Sequence, residues 1–227
     1  MNKLSGNKLK VIALISMTVD HVGKAFFSSN IWFEIIGRLS FPIFAYMIAE
    51  GWKYTSNRKR YMCTIWGMGI LYQIVYYFLY SSLYMGIFIT YGLSLLLIYA
   101  IESLVKKKKY CFIVSPIIIL GLVFVGCIEN VFPNSGFAID YGLVGICIPA
   151  LVYFGKTKKE KVCFLFLGLC CLYLVFKGLQ FISLLSTILL AFYSEKRGNK
   201  NLKYFFYFYY PFHLVAIWFI QLIINNR

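Results

Sequence analysis

The stretch "YGLSLLLIYAIESLVKKKK" (91–109) ends an apolar run in four consecutive lysines. Roughly 20 predominantly apolar residues cross the hydrocarbon core of a bilayer as a helix, so this run reads as a membrane pass that stops at a charged headgroup boundary. Lys and Arg collect on the cytoplasmic side of membrane proteins, so the lysines also give the pass a direction. The rest of the chain repeats the pattern. Of the 227 residues 61% are hydrophobic and only 14% charged, with a mean hydropathy of +0.75. No stretch is long or polar enough for a separate soluble domain, and residues 1–227 are read as a single membrane domain.

The expected fold is an all-α polytopic transmembrane bundle of nine spans, with eight or ten as neighbouring counts. The spans fall at about 9–28, 31–52, 62–82, 85–105, 110–128, 138–155, 162–177, 178–194 and 204–224. A cytoplasmic N-terminus puts Lys3, Lys8 and Lys10 inside, together with "KYTSNRKR" (53–60), "KKKK" (106–109), "KTKKEK" (156–161) and "SEKRGNKNLK" (194–203). That places 19 of the 23 Lys and Arg on one side, which accounts for the net charge of +15 without nucleic acid as a partner. The seventh and eighth spans share a tight turn at "VFKGLQF" (175–181), so either can be re-entrant or tilted. The basic leader of the first span resembles a signal peptide, but Asp20 and His21 interrupt its apolar region, and no cleavage is expected.

Several soluble-enzyme chemistries are excluded by missing motifs. There is no Walker loop, GxGxxG or GxSxG. The seven cysteines form no CxxC pair and lie within or beside spans, where they act as small apolar residues. Two histidines far apart in sequence make a poor zinc signature, and no metal is expected.

Ionisable residues inside spans are costly and usually mark a site or a pathway. "MTVDHVGKAFF" (17–27) carries Asp20, His21 and Lys24 within five positions. Asp20 and Lys24 are four apart and can pair along one helix face, whereas Asp20 and His21 are neighbours about 100° apart and form no ready dyad. His21 must therefore point elsewhere in the bundle. The second span, "EIIGRLSFPIFAYMIAEGW" (34–52), places Glu34, Arg38 and Pro42 on one stripe, and Arg38 can approach Asp20 or His21 at similar depth. Gly37 and Ser40 would allow the two backbones to come close. A structural salt bridge of Asp20 with Lys24 or Arg38 is the simpler reading, yet it has no use for a histidine.

Four strings resemble signature blocks of the TraX family: "MTVDHVGKAFF" (17–27), "GRLSFPIFAYMIAEGWKYTSNRKRY" (37–61), "DYGLVGICIPALVYF" (140–154) and "SEKRGNKNLKYFFYFYYPFHLVAI" (194–217). They occur in order from the first helix to the last. The resemblance implies a multi-pass protein of the cytoplasmic membrane associated with N-terminal acetylation of conjugative pilin. It also implies kinship with membrane acyltransferases that use an intramembrane histidine and acetyl-CoA or another acyl-CoA. The stretch 83–100 departs from the pattern, and pilin as the acceptor is one inference further than acyl transfer.

Acyl transfer from a thioester to an amine or hydroxyl needs a base for the nucleophile's proton and positive or dipolar groups for the oxyanion. His21 suits the base, Arg38 the oxyanion, and Asp20 would hold Arg38 or Lys24 in place. A second rank of candidates follows. In the last helix Tyr209 and His213 are one turn apart, and Pro211 frees the carbonyl of Tyr207 for a donor such as a histidine N–H. His213 could itself meet the thioester, whereas the surrounding aromatics read as an interfacial helix end. Glu34 joins Arg38 on its stripe. Asp140 enters through the family-like "DYG" string, while Glu50 reads as a solvated partner of the neighbouring basic cluster. A transporter or a non-enzymatic pilus-assembly factor remains the alternative, since either can keep the buried charges without chemistry.

Overall fold

The computed structural model describes residues 4–107, 110–132, 135–198 and 202–225. Helices dominate, as the apolar runs require, because a helix satisfies its own backbone in a medium without water. In order they are α1 (Gly6–Phe26), α2 (Ile31–Gly37), α3 (Ser40–Tyr54), α4 (Arg58–Tyr80), α5 (Ile87–Val105), α6 (Cys111–Gly126), α7 (Ile128–Val131), α8 (Gly142–Phe154), α9 (Lys158–Phe176), α10 (Ser186–Ala191) and α11 (Lys203–Asn225). A 3-10 helix, Gly178–Leu185, precedes α10. Two short strands, β1 (Tyr84–Met85) and β2 (Ala138–Ile139), pair in parallel.

Among the described residues four helical stretches are long and apolar enough to cross a membrane: Ile31–Tyr54, Arg58–Tyr80, Ile87–Val105 and Phe205–Asn225. The other segments that hydropathy marks as passes are shorter or more polar. Cys111–Gly126, Gly142–Phe154 and Gly178–Ala191 are apolar but brief, and α1 carries Lys8, Lys10, Asp20 and Lys24 along its length.

The second pass is broken where the sequence places one continuous stripe. Pro42 has no N–H for the carbonyl of Arg38, so α2 ends at Gly37 and α3 restarts at Ser40 with the proline in its first turn, where no intrahelical donor is needed. The eighth segment is tightened for a different reason. After the positive φ angles of Lys177 (51°) and Gly178 (53°), Ser183, Ser186 and Thr187 each donate to the carbonyl three residues earlier, all at 2.6 Å. Such local bonds fit the i to i+3 pitch of a 3-10 helix.

The chain divides into two compact units, Met1–Met47 with Leu165–Arg227, and Ile48–Phe164. In the first, α1 packs against α2 and α11. A Cβ on Gly37 would overlap the Asp20 side chain, and one on Gly23 would overlap Phe33, so these glycines set the close approach of α1 and α2. Ser16 adds a hydroxyl bond to the carbonyl of Ile36 at the end of α2, where helical carbonyls lack intrahelical donors.

In the second unit α5 is the central helix, with α4, α6 and α8 against it. It is apolar along most of its length, and two of its small polar residues, Thr90 and Ser94, are fully buried. Thr90 donates to the carbonyl of Asp140 at 2.8 Å and Ser94 to that of Thr90 at 2.9 Å, so neither hydroxyl is stranded. The entry to α9 is a capping box. The amide of Glu160 donates to Thr157 at 3.2 Å, and the Glu160 carboxylate accepts the Lys156 amide at 2.8 Å. That backbone bond holds the Glu160 carboxyl below the usual carboxylate range.

Candidate functional site

The two histidines meet. α1 and α11 lie side by side and run parallel, since contacts advance along both together. The Lys10 ammonium stands 5.6 Å above the Phe206 ring, Thr18 bonds Tyr209 at 2.8 Å, His21 bonds His213, and Gln221 donates to the carbonyl of Ala25 at 3.1 Å. Thr18 spends its single hydrogen on the carbonyl of Leu14 at 2.8 Å, so the Tyr209 hydroxyl is the donor between the helices. Residues three and four apart share a helix face, which brings Thr18 with His21, and Tyr209 with His213, onto the same contact.

Nδ1 of His21 lies 2.6 Å from Nε2 of His213. The imidazole rings are nearly parallel, 12° apart, with centroids 4.9 Å from each other. The Tyr209 ring lies nearly parallel to that of His213, with centroids at 5.5 Å and an 8° angle between the planes. Tyr210 meets His213 more nearly edge-on at 70°. His213 is only 4% exposed, whereas His21 is half-buried. On the far side of the pair, Nδ1 of His213 bonds the carbonyl of Tyr209 at 3.1 Å. The carbonyl of Tyr207, which Pro211 frees, is therefore not the acceptor His213 uses. No described residue hydrogen-bonds Nε2 of His21.

Asp20 faces the other neighbour. Its position next to His21 turns it about 100° around α1, onto α2, where it packs against Gly37 and accepts a hydrogen bond from Lys24 at 2.6 Å. The Lys24 side chain is 63% exposed, that of Asp20 only 17%. Arg38 forms its ion pair with Glu34 one turn earlier. Of the two arrangements open to Asp20, the structure displays the one with Lys24, and Arg38 stands one residue past the glycine that Asp20 touches. α1 thus presents an ion pair toward α2 and an imidazole toward α11.

The remaining predicted residues lie in the second unit. Asp140 accepts from the Tyr84 hydroxyl at 2.8 Å, and its amide donates to the carbonyl of Met85 at 3.1 Å beside the strand pair. Tyr141 and Gly142 both have positive φ, 59° and 51°. The "DYG" string is thus a turn that ties the start of α8 to the strands.

Glu50 differs from its expected solvated state. It is 7% exposed and bonds Lys161 at 2.6 Å, and Lys161, read as part of a cytoplasmic basic loop, is 2% exposed with its ammonium 5.8 Å from the Tyr54 ring. A charge this deep in protein is kept by a partner, and each supplies the other's.

Glu102 is a second buried carboxylate that sequence reasoning passed over. It accepts from Tyr153 at 2.5 Å, Arg58 at 2.6 Å, Lys106 at 3.3 Å and Trp52 at 3.4 Å. The available signal was its place inside the apolar run of α5, just ahead of the lysines.

Comparison with known proteins agrees with the block-by-block resemblance. The family model described as "TraX protein" matches residues 5–221. A "probable fimbrial assembly protein FimC, serogroup H1" of Dichelobacter nodosus is 21% identical over 239 aligned residues, covering 94% of both chains. An "uncharacterized protein RP591" of Rickettsia prowazekii (strain Madrid E) is 26% identical over 172 residues, covering 75% of this chain and 62% of the relative. No solved structure matches.

Proposed function

The chain belongs to the TraX family, and on that premise we propose that it is a membrane-embedded acyltransferase moving an acetyl group from acetyl-CoA to an amine. The observation that carries this reading is a half-buried histidine in an apolar bundle, anchored through one ring nitrogen while the other meets no described partner. A structural histidine would be expected to use both nitrogens.

The step is a nucleophilic acyl substitution. The acceptor amine attacks the thioester carbonyl, a C–N bond forms and the C–S bond breaks. His21 Nε2 takes the amine proton and returns it to the departing thiolate, so coenzyme A leaves as the thiol. Arg38 supplies positive charge for the oxyanion, shared in the resting state with Glu34. Asp20 neutralises Lys24 and leaves the base uncharged.

The proposed setting is the cytoplasmic membrane, with the N-terminus inside and nine passes, so that the basic loops face the polyanionic coenzyme A. A pilin N-terminus is the proposed acceptor, since one relative is described as a probable fimbrial assembly protein. The same description supports a competing reading, an assembly factor without chemistry. Protein reconstituted in liposomes and given acetyl-labelled acetyl-CoA with a pilin-like peptide separates the two. Labelled peptide with an equal amount of free thiol is expected, and neither product would favour the assembly factor.

A further inference from the structure

We propose that His213 is the positioning residue that holds His21 in the tautomer with its hydrogen on Nδ1, leaving the Nε2 lone pair for the substrate. The proposal rests on the reading of His21 as the base. It follows from counting hydrogens across three groups. A carbonyl only accepts, so the 3.1 Å contact of His213 Nδ1 with Tyr209 places a hydrogen on that nitrogen. A neutral imidazole carries one N–H, so Nε2 of His213 is an acceptor. The 2.6 Å contact then requires His21 to donate from Nδ1. His21 Nε2 is left basic.

An unrestrained imidazole favours the opposite tautomer, with its hydrogen on Nε2, where it would be a donor and useless as a base. Histidine bases are commonly oriented by a carboxylate on the other nitrogen. Here the neighbouring carboxylate, Asp20, is turned toward Gly37 and Lys24, and the orienting group is a neutral ring. A neutral orienter leaves no net charge buried between α1 and α11 in the resting state, which an apolar bundle would penalise. When Nε2 gains a proton, His21 still donates from Nδ1, so the proton enters and leaves without rearrangement. The Tyr209 ring stacked at 5.5 Å, itself bonded to Thr18 at 2.8 Å, fixes the plane of His213.

The chain has two histidines, so nitrogen-15 NMR of histidine-labelled protein in lipid resolves both rings, and the His213 variants leave the His21 signal alone. Wild-type His21 is expected to show a protonated Nδ1 and a bare Nε2. His213→Phe removes the acceptor. It should shift His21 toward the Nε2–H form and lower kcat about 10–100-fold with KM little changed, the range for lost partners of histidine ligands. His213→Gln restores a carbonyl acceptor and should recover the tautomer and part of the rate. A wild-type His21 protonated on Nε2, or a His213→Phe protein with unchanged tautomer or rate, would overturn the proposal. The expected tautomers in a protein that transfers no acetyl group would instead overturn the acyltransferase reading and leave the positioning role of His213 standing.

Discussion

His21 and His213 are 192 residues apart in sequence, yet Nδ1 of one lies 2.6 Å from Nε2 of the other. The bond joins α1 and α11, which run parallel, and it is flanked on one side by Thr18 with Tyr209 and on the other by Gln221 with the carbonyl of Ala25.

That flanking pair should matter more for geometry than for stability. Tyr209→Phe removes the hydroxyl that reaches Thr18. Polar bonds between membrane helices average about 0.6 kcal/mol, so thermal unfolding in detergent should fall only slightly. The acyl-transfer rate should fall further, because the ring stacked on His213 loses its anchor. Equal, small losses in both would mean that the tyrosine only packs.

Gly37 makes a steric prediction with an internal control. Gly37→Leu forces a side chain into Asp20 and should cost about 1–3 kcal/mol through overpacking, read as a lower midpoint of thermal unfolding. Gly67 in α4 has nothing within 4 Å of where a Cβ would stand. Gly67→Ala should therefore be neutral or stabilising by about 0.5–1 kcal/mol, as expected for glycine in a helix.

The buried ion pair of Glu50 and Lys161 should behave as a unit. Lys161→Met strands a carboxylate and should destabilise by roughly 3–5 kcal/mol, while adding Glu50→Gln should recover most of the loss. Chemical denaturation of the two single variants and the double variant measures the coupling. Additive losses would show that the charges do not depend on each other.

Much of this was legible in the sequence where the interaction is local or periodic. Helical character follows from the apolar runs, and the Asp20–Lys24 pair from a spacing of four. The 100° step between Asp20 and His21 implies that they face different neighbours, and the structure assigns those neighbours as α2 and α11. What lay beyond reach was tertiary. Nothing in the spacing of two distant histidines says that α1 and α11 are adjacent and parallel. Lys161 was hidden for another reason. A lysine in a basic cluster reads as solvated, and only packing shows that this one is turned inward to Glu50. Glu102 carries a weaker form of the signal at Asp20, an ionisable residue inside an apolar run without the adjacent ionisable residue that Asp20 has in His21. The break between α2 and α3 is written in Pro42, because a spacing of four describes a stripe only while the helix is continuous and a missing N–H interrupts it.

Topology is a separate prediction. Reporter fusions after Lys107 and Lys159 should be active only in the cytoplasm, in line with the clustering of Lys and Arg. Activity outside at either position would reverse the proposed orientation and move the basic loops away from acyl-CoA.

The role of His21 Nε2 as the base for acyl transfer is tested by coenzyme A release from acetyl-CoA by liposome-reconstituted wild-type and His21→Ala proteins, with matched amounts inserted and folded. Removal of a general base typically costs 10²–10⁴-fold, so peptide-dependent thiol release by the wild type and a loss of that order in the variant, with unfolding unchanged, are expected. Thiol release by His21→Ala at the wild-type rate would contradict that role.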